Sequence, residues 1–226
     1  MSPFIYRDGA YRAKWDTFEV AVFAAIIGGV IETLTDDAYD DPARAKLLPV
    51  FSRDDAVDVE FSRLIGRQIE DAKLRVLQKF GALLISSLPD AEPSVTQQSG
   101  ISQLDHVNQL DTANQFDNSQ FSNASRVELV ITPDNAQSVL QALTAIRVYL
   151  GEKLHIETDE DSEILYQLME RAAEQVVAEN PESEPDAASA SSQSALDQQV
   201  FLASVFSAAG FAQETLVTAL MERMAP

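Results

Sequence analysis

Between Asp16 and Asp36 the chain reads Asp-Thr-Phe-Glu, then twelve uncharged residues from Val20 to Ile31, then Glu-Thr-Leu-Thr-Asp. A helix over this run has no polar face and must be buried on all sides. The uncharged run is shorter than the roughly 20 residues a membrane span requires, so it predicts a core helix. Asp16 is suited to the N-cap, and Glu19 three residues on completes a capping box. Gly28 and Gly29 each cost about 1 kcal/mol relative to Ala in a helix. Close approach of a neighbouring backbone is the expected compensation.

The other elements are arranged around that helix. Residues 3 to 15 predict a hairpin, with Phe4, Tyr6, Tyr11 and Ala13 flanking Asp8-Gly9, a dipeptide suited to a type I′ turn. A lone hairpin is marginal in water, and residues 126–131, where Val127, Leu129 and Ile131 alternate with Glu128 and Val130, are the expected third strand. Residues 42 to 51 predict one helical turn and an extended anchor, with Leu47, Leu48 and Phe51 packed down. A long helix is expected from Ser52 or Asp54 to Leu88, because Phe61, Ile65, Ile69, Ala72, Val76, Phe80 and Leu83 recur at spacings of three and four. Thr132-Pro133 is a helix start, with Thr at the N-cap and Pro at N1. That helix is expected to run through Leu154, followed by one from Thr158 or Asp159 and a last helix over Leu196 to Met224. Small residues from Ala203 to Gly210 suit the last helix to a close crossing. The fold class is therefore mainly α. A bundle of about five helices is expected, with a small antiparallel sheet built from the N-terminal hairpin and one further strand.

Residues 1–226 are expected to form a single helical domain with two irregular segments. Residues 90–125 are rich in Gln, Asn, Ser and Asp, contain no Lys or Arg, and carry a six-residue repeat beginning at Gln103, Gln109 and Gln115. Three such units offer too little apolar surface to build a β-helix, which predicts a mobile polar insert. Residues 180–195, rich in Glu, Pro, Ser and Ala, predict a flexible linker.

The chain carries 36 acidic against 16 basic residues, a net charge of −20. Such a chain repels phosphate backbones and anionic lipid, so no nucleic-acid or membrane partner is expected. It has no cysteine, which excludes disulfides, thiolate metal sites and cysteine nucleophiles. The N-terminus does not read as a signal peptide, which predicts a cytoplasmic protein. The two histidines, His106 and His155, have no metal-ligand spacing. No glycine-rich phosphate loop or nucleophile elbow is present. No catalytic residue, cofactor site or metal site is predicted. The acidic loop from Asp36 to Pro42 lacks the glycine of a calcium loop.

Two sets of residues remain as candidates. Arg63, Arg67, Arg75 and Lys79 fall on one stripe of the long helix. They suit an interaction surface, against the ordinary reading of a solvated face with intrahelical pairs to Glu60, Glu70 and Asp71. Arg147 lies in a mostly apolar helix, and Glu214, in an equally apolar one, is its expected partner in a structural ion pair.

A resemblance emerges from the order of short motifs. It begins with Asp41-Pro42, Leu47-Leu48-Pro49-Val50-Phe51-Ser52-Arg53-Asp54-Asp55, Phe61 and Asp71-Ala72-Lys73. Glu128-Leu129-Val130-Ile131-Thr132, Ile146-Arg147-Val148-Tyr149-Leu150-Gly151 and Gln213-Glu214-Thr215-Leu216-Val217 follow. In that order they resemble an actinobacterial family of unknown function, commonly encoded beside the adaptor of the Clp protease. The resemblance spans residues 4–89, 126–170 and 196–224 and carries over no catalytic residues. Some members have been labelled transcriptional regulators, which the charge here does not support. The expected function is a non-enzymatic interaction or regulatory module with a protein partner, linked through the resemblance to regulated proteolysis. The alternatives are a DNA-binding regulator, which needs a positive recognition surface, and a carboxylate- or metal-dependent enzyme, which needs converging acids.

Overall fold

The computed structural model describes residues 1–36, 42–48, 50, 52–89, 125–158, 160–161, 163–165, 167 and 187–224. The polar insert (save Ser125), Phe51 and most of the acidic loop lie outside the described residues. The fold is mainly α, with six helices and a three-stranded antiparallel sheet among those residues.

Strands β1 (Ile5–Arg7) and β2 (Ala10–Asp16) form the hairpin, paired Tyr6 to Tyr11 and Arg7 to Ala10. Asp8 and Gly9 both have positive φ, 52° and 80°, as a type I′ turn requires. Strand β3 (Arg126–Ile131) adds to β2 with Ala13 opposite Leu129, giving the order β1-β2-β3. The inward face carries Tyr11, Ala13, Trp15, Leu129 and Ile131, all buried.

Helix α1 (Thr17–Thr35) begins in the capping box. Glu19 N–H donates to Asp16 Oδ1 at 2.7 Å, and Asp16 N–H donates to Glu19 Oε2 at 2.9 Å. Its buried residues, Val20, Val22, Phe23, Ala24, Ile26, Ile27, Val30 and Leu34, cover one broad side; Ala21, Ala25 and Gly28 are only half-buried and Glu32 is exposed on the other, so the helix is not buried on all sides as its apolar run predicts. Measured over its full 19 residues, α1 is long and apolar enough to cross a membrane, as is the stretch Leu196–Met224. In the fold α1 is the core, with Trp15 and Phe23 ring centroids 4.9 Å apart. The glycines serve it differently from expectation. A Cβ on Gly28 would meet nothing within 4 Å, whereas one on Gly29 would meet a side chain, Tyr149, and not a neighbouring backbone.

Helix α2 (Pro42–Leu47) is followed by α3 (Asp55–Phe61), a π-helical turn at Ser62–Gly66 and α4 (Arg67–Ser86). Asp54 caps α3, accepting from Ala56 N at 3.0 Å and Val57 N at 3.4 Å. The expected long helix is present with a difference. Leu77, Phe80, Gly81 and Leu84 of α4 enter the core, but α3 and the π turn bury no residue. A π turn inserts a residue into the α-helical repeat, so the apolar stripe of α4 does not continue into α3 on the core side.

Helix α5 (Pro133–Lys153) starts at Thr132, whose carbonyl, not its side chain, accepts from Asn135 N and Ala136 N. It ends in a Schellman arrangement: Ile156 N–H donates to Gly151 O, His155 N–H donates to Glu152 O, and His155 has φ 55°. Thr158 then caps the next segment, with Asp161 N–H on its Oγ1 and its own N–H on Asp161 Oδ2. Helix α6 (Ala187–Met224) begins earlier than expected, inside the segment read as linker. That stretch, Ala-Ala-Ser-Ala-Ser-Ser-Gln-Ser-Ala, has neither Gly nor Pro, and Ala is the best helix former. Val205, Ala209, Ala212, Leu216 and Ala219 alternate by three and four along its buried face. Most are small, which brings α6 close to α5.

Candidate functional site

The close crossing of α5 and α6 leaves a cleft of about 330 Å³ on one side, bordered also by α2. Helix α5 lines it with Thr144, Arg147, Val148 and Gly151, spaced so that they share one stripe. Helix α6 contributes Phe206 and Gln213, two turns apart. Ile156, held by the Schellman turn, forms one rim, and Lys46 from α2 forms another with Glu152.

Arg147 is the centre of this geometry. Its guanidinium carbon lies 5.3 Å from the centroid of the Phe206 ring, a cation–π distance. A Cβ on Gly210 would sit 3.8 Å from its Nε, so glycine leaves ordinary van der Waals room beside the guanidinium. Its Nη1 donates to Gln213 Oε1 at 3.2 Å, and Gln213 Nε2 donates onward to Thr144 Oγ1 at 3.2 Å. The Nε is shielded from solvent and has no acceptor among the described residues. Glu214, the expected partner, is exposed; the residue one position earlier meets Arg147 instead. One residue turns a helix by about 100°, enough to move a side chain off the face.

The other cation of the cleft is neutralised. Lys46 Nζ pairs with Glu152 Oε2, and this hydrogen bond holds the ammonium above the ordinary lysine range. Sequence reasoning missed the pair because its members lie on different helices and neither stands in an informative local pattern.

The basic stripe lies elsewhere. Arg63, Arg67, Arg75 and Lys79 are all exposed. Arg63 holds Glu60 at 2.7 Å, and the other three make no ion pair among the described residues. Next to Arg63 and Arg67 in the chain, α3 and the π turn expose Val57 (41%), Val59 (67%), Phe61 (47%) and Leu64 (57%). A stretch of seven helical residues and a π turn therefore projects with apolar side chains in water. Among the described residues no three His, Asp or Glu side chains converge as a metal site.

Residues 1–220 match a family model described as a domain of unknown function, DUF2017. The chain belongs to the DUF2017 family. No curated protein and no solved structure matches it. The match spans the hairpin, the α1 core and the cleft between α5 and α6, so all three are features of a DUF2017 domain in this chain.

Proposed function

We propose that this DUF2017 protein is a non-enzymatic interaction or regulatory module of the cytoplasm, docking a protein partner on the projecting α3 and π turn. One observation carries the reading: Val57, Val59, Phe61 and Leu64 are exposed on a helical stretch that buries nothing of its own. An apolar patch with charged borders is the ordinary signature of a protein interface. Arg63 and Arg67 adjoin it in the chain, and Arg67 makes no ion pair among the described residues, which favours a partner groove with acidic edges. The net charge of −20 disfavours nucleic acid and anionic membranes as that partner. A link to regulated proteolysis is what the family resemblance adds.

The test is affinity capture from the native cytoplasm, comparing the wild type with Phe61→Glu/Leu64→Glu. Both side chains are exposed, so the variant should melt with the wild type. A bound protein retained by the wild type and lost by the variant supports the proposal. Identical captured proteins with both baits, or salt-sensitive retention on duplex DNA, would overturn it.

A further inference from the structure

Among the described residues Arg147 has no carboxylate partner, in a chain where carboxylates outnumber cations by 36 to 16. Its guanidinium offers five N–H donors in a rigid fork. Among the described residues only Nη1 has a protein acceptor, the neutral amide of Gln213, and the shielded Nε has none. The fork borders an open cleft and is not sealed in a packed interface. Since Lys46 is bound to Glu152, Arg147 is, among the described residues, the one positive charge lining the cleft that no acid lining it compensates. Val148, Ile156 and Phe206 give the cleft an apolar lining beside the guanidinium. The volume, about 330 Å³, lies at the small end of ligand sites, which run from about 300 to 1,000 Å³.

We propose that this cleft binds a small monocarboxylate on an apolar body. The carboxylate accepts two parallel bonds from the Arg147 fork, and the body packs against Phe206, Val148 and Ile156. Gln213, fixed between Arg147 and Thr144, is a positioning residue that orients the guanidinium. A single uncompensated charge selects a monoanion over phosphate. The apolar walls select an acid with a hydrocarbon body over acetate. The site is separate from the projecting helix, so it stands or falls independently of the docking proposal. The carboxylate can belong to a free acid or to the C-terminal residue of a peptide, and the probes below separate the two.

The experiment titrates the full ¹⁵N-labelled chain with 3-phenylpropionate, neutral 3-phenylpropionamide, inorganic phosphate and the tripeptide Ala-Ala-Phe. The expected result is a shift of the Arg147 Nε–Hε resonance with the acid or the peptide, and none with the amide. Tighter binding of the tripeptide assigns the carboxylate to a chain end, and tighter binding of the acid assigns it to a small molecule. Arg147→Gln should weaken binding by about tenfold or more, as loss of a charge-assisted bidentate pair implies. Arg147→Lys should retain part of the binding, and the remote Arg63→Gln should bind as the wild type does. Should Arg147→Gln fold poorly, the wild-type resonance still decides. Equal responses to acid and amide, a stronger response to phosphate, or no response to any probe at millimolar concentration overturns the assignment.

Discussion

The hydroxyl of Tyr149 in α5 lies against the α carbon of Gly29 in α1, where a Cβ would stand 3.2 Å from Oη and 3.7 Å from Cζ. Tyr149 is buried to 6% exposure, so its ring has little room to withdraw. Glycine is therefore kept in a helix interior against its propensity. Gly28 next to it has open space. Gly28→Ala should stabilise the protein by up to about 1 kcal/mol, the full propensity gain. Gly29→Ala should lower stability despite the same gain. Urea midpoints of the two variants check this; equal shifts would remove the Tyr149 contact as the reason for glycine.

Arg44 closes the end of α1. Its Nη1 donates to Leu34 O at 2.6 Å and Asp36 O at 2.7 Å, and its Nη2 reaches Glu70 of α4 at 3.2 Å. Helix ends leave carbonyls unsatisfied, and hydrogen bonds to charged groups contribute about 1.5–3 kcal/mol. Arg44→Ala should cost on the order of 2–3 kcal/mol. Arg44→Lys should recover less than half, since an ammonium lacks the planar fork. The measurement is equilibrium unfolding of both variants, and full recovery by Lys contradicts the fork.

Ile27 is 2% exposed and packs beside Gly81 of α4, where a Cβ would lie 3.4 Å from Ile27 Cγ2. Ile27→Asp should abolish cooperative unfolding. An unpaired polar group or charge buried there costs several kcal/mol against a total of roughly 5–15 kcal/mol. A melting transition close to the parent's is the contrary result.

His155 occupies the left-handed position that ends α5, with φ 55°, and its side chain is exposed. Glycine takes this conformation without a Cβ penalty. His155→Gly should raise stability by about 0.5–1 kcal/mol, and His155→Val should lower it, since left-handed backbone costs L-residues about 1–2 kcal/mol. Thermal midpoints of the pair give the comparison.

Lys73 in α4 is half-buried, and its Nζ donates to Leu47 O at the end of α2. Burial pushes its ammonium below the ordinary lysine range. Between that lowered folded value and the unfolded value near about 10.4, the unfolded chain holds more protons, so stability rises with pH. Below the folded value both states are charged and the burial cost is fully present. The wild type should therefore gain on Lys73→Met as pH climbs toward about 10.4. Urea melts of both proteins at a series of alkaline pH values test the slope, and parallel curves contradict it.

The features legible in the sequence were those written locally. Asp16 with Glu19, Asp8-Gly9, Asp54 and Thr132-Pro133 each declare a cap or turn within four residues, and each occupies that position in the fold, Thr132 through its carbonyl. The third strand was legible from its alternation alone. The contacts between elements were not. Arg44 on Leu34, Lys46 on Glu152 and Tyr149 on Gly29 join positions whose sequence spacing says nothing about their meeting. Arg147 was recognisable as unusual because a charge interrupts an apolar helix. Its partner was missed by one residue, because choosing between Gln213 and Glu214 needs the rotational phase of α6 against α5. The exposure of Phe61 was hidden for a related reason: a π turn leaves no composition signal, yet it breaks the helical phase that a spacing of three and four presumes.

Strand β2 takes its second partner from far along the chain, with Tyr11 opposite Ile131, and Arg223 of α6 reaches back to Tyr11 Oη at 3.4 Å and over the Tyr6 ring. On a ribosome adding about 5–20 residues per second, the hairpin therefore waits on the order of 6–24 s for β3, and longer for α6. During that interval α1, the most apolar helix of the core, has been made but lacks its covers α4 and α5 in turn. The nascent chain is thus obliged to carry a sticky segment that its own fold cannot yet shelter. Until residue 153 has been made, α1 lacks the side of its cover that α5 supplies in the finished fold.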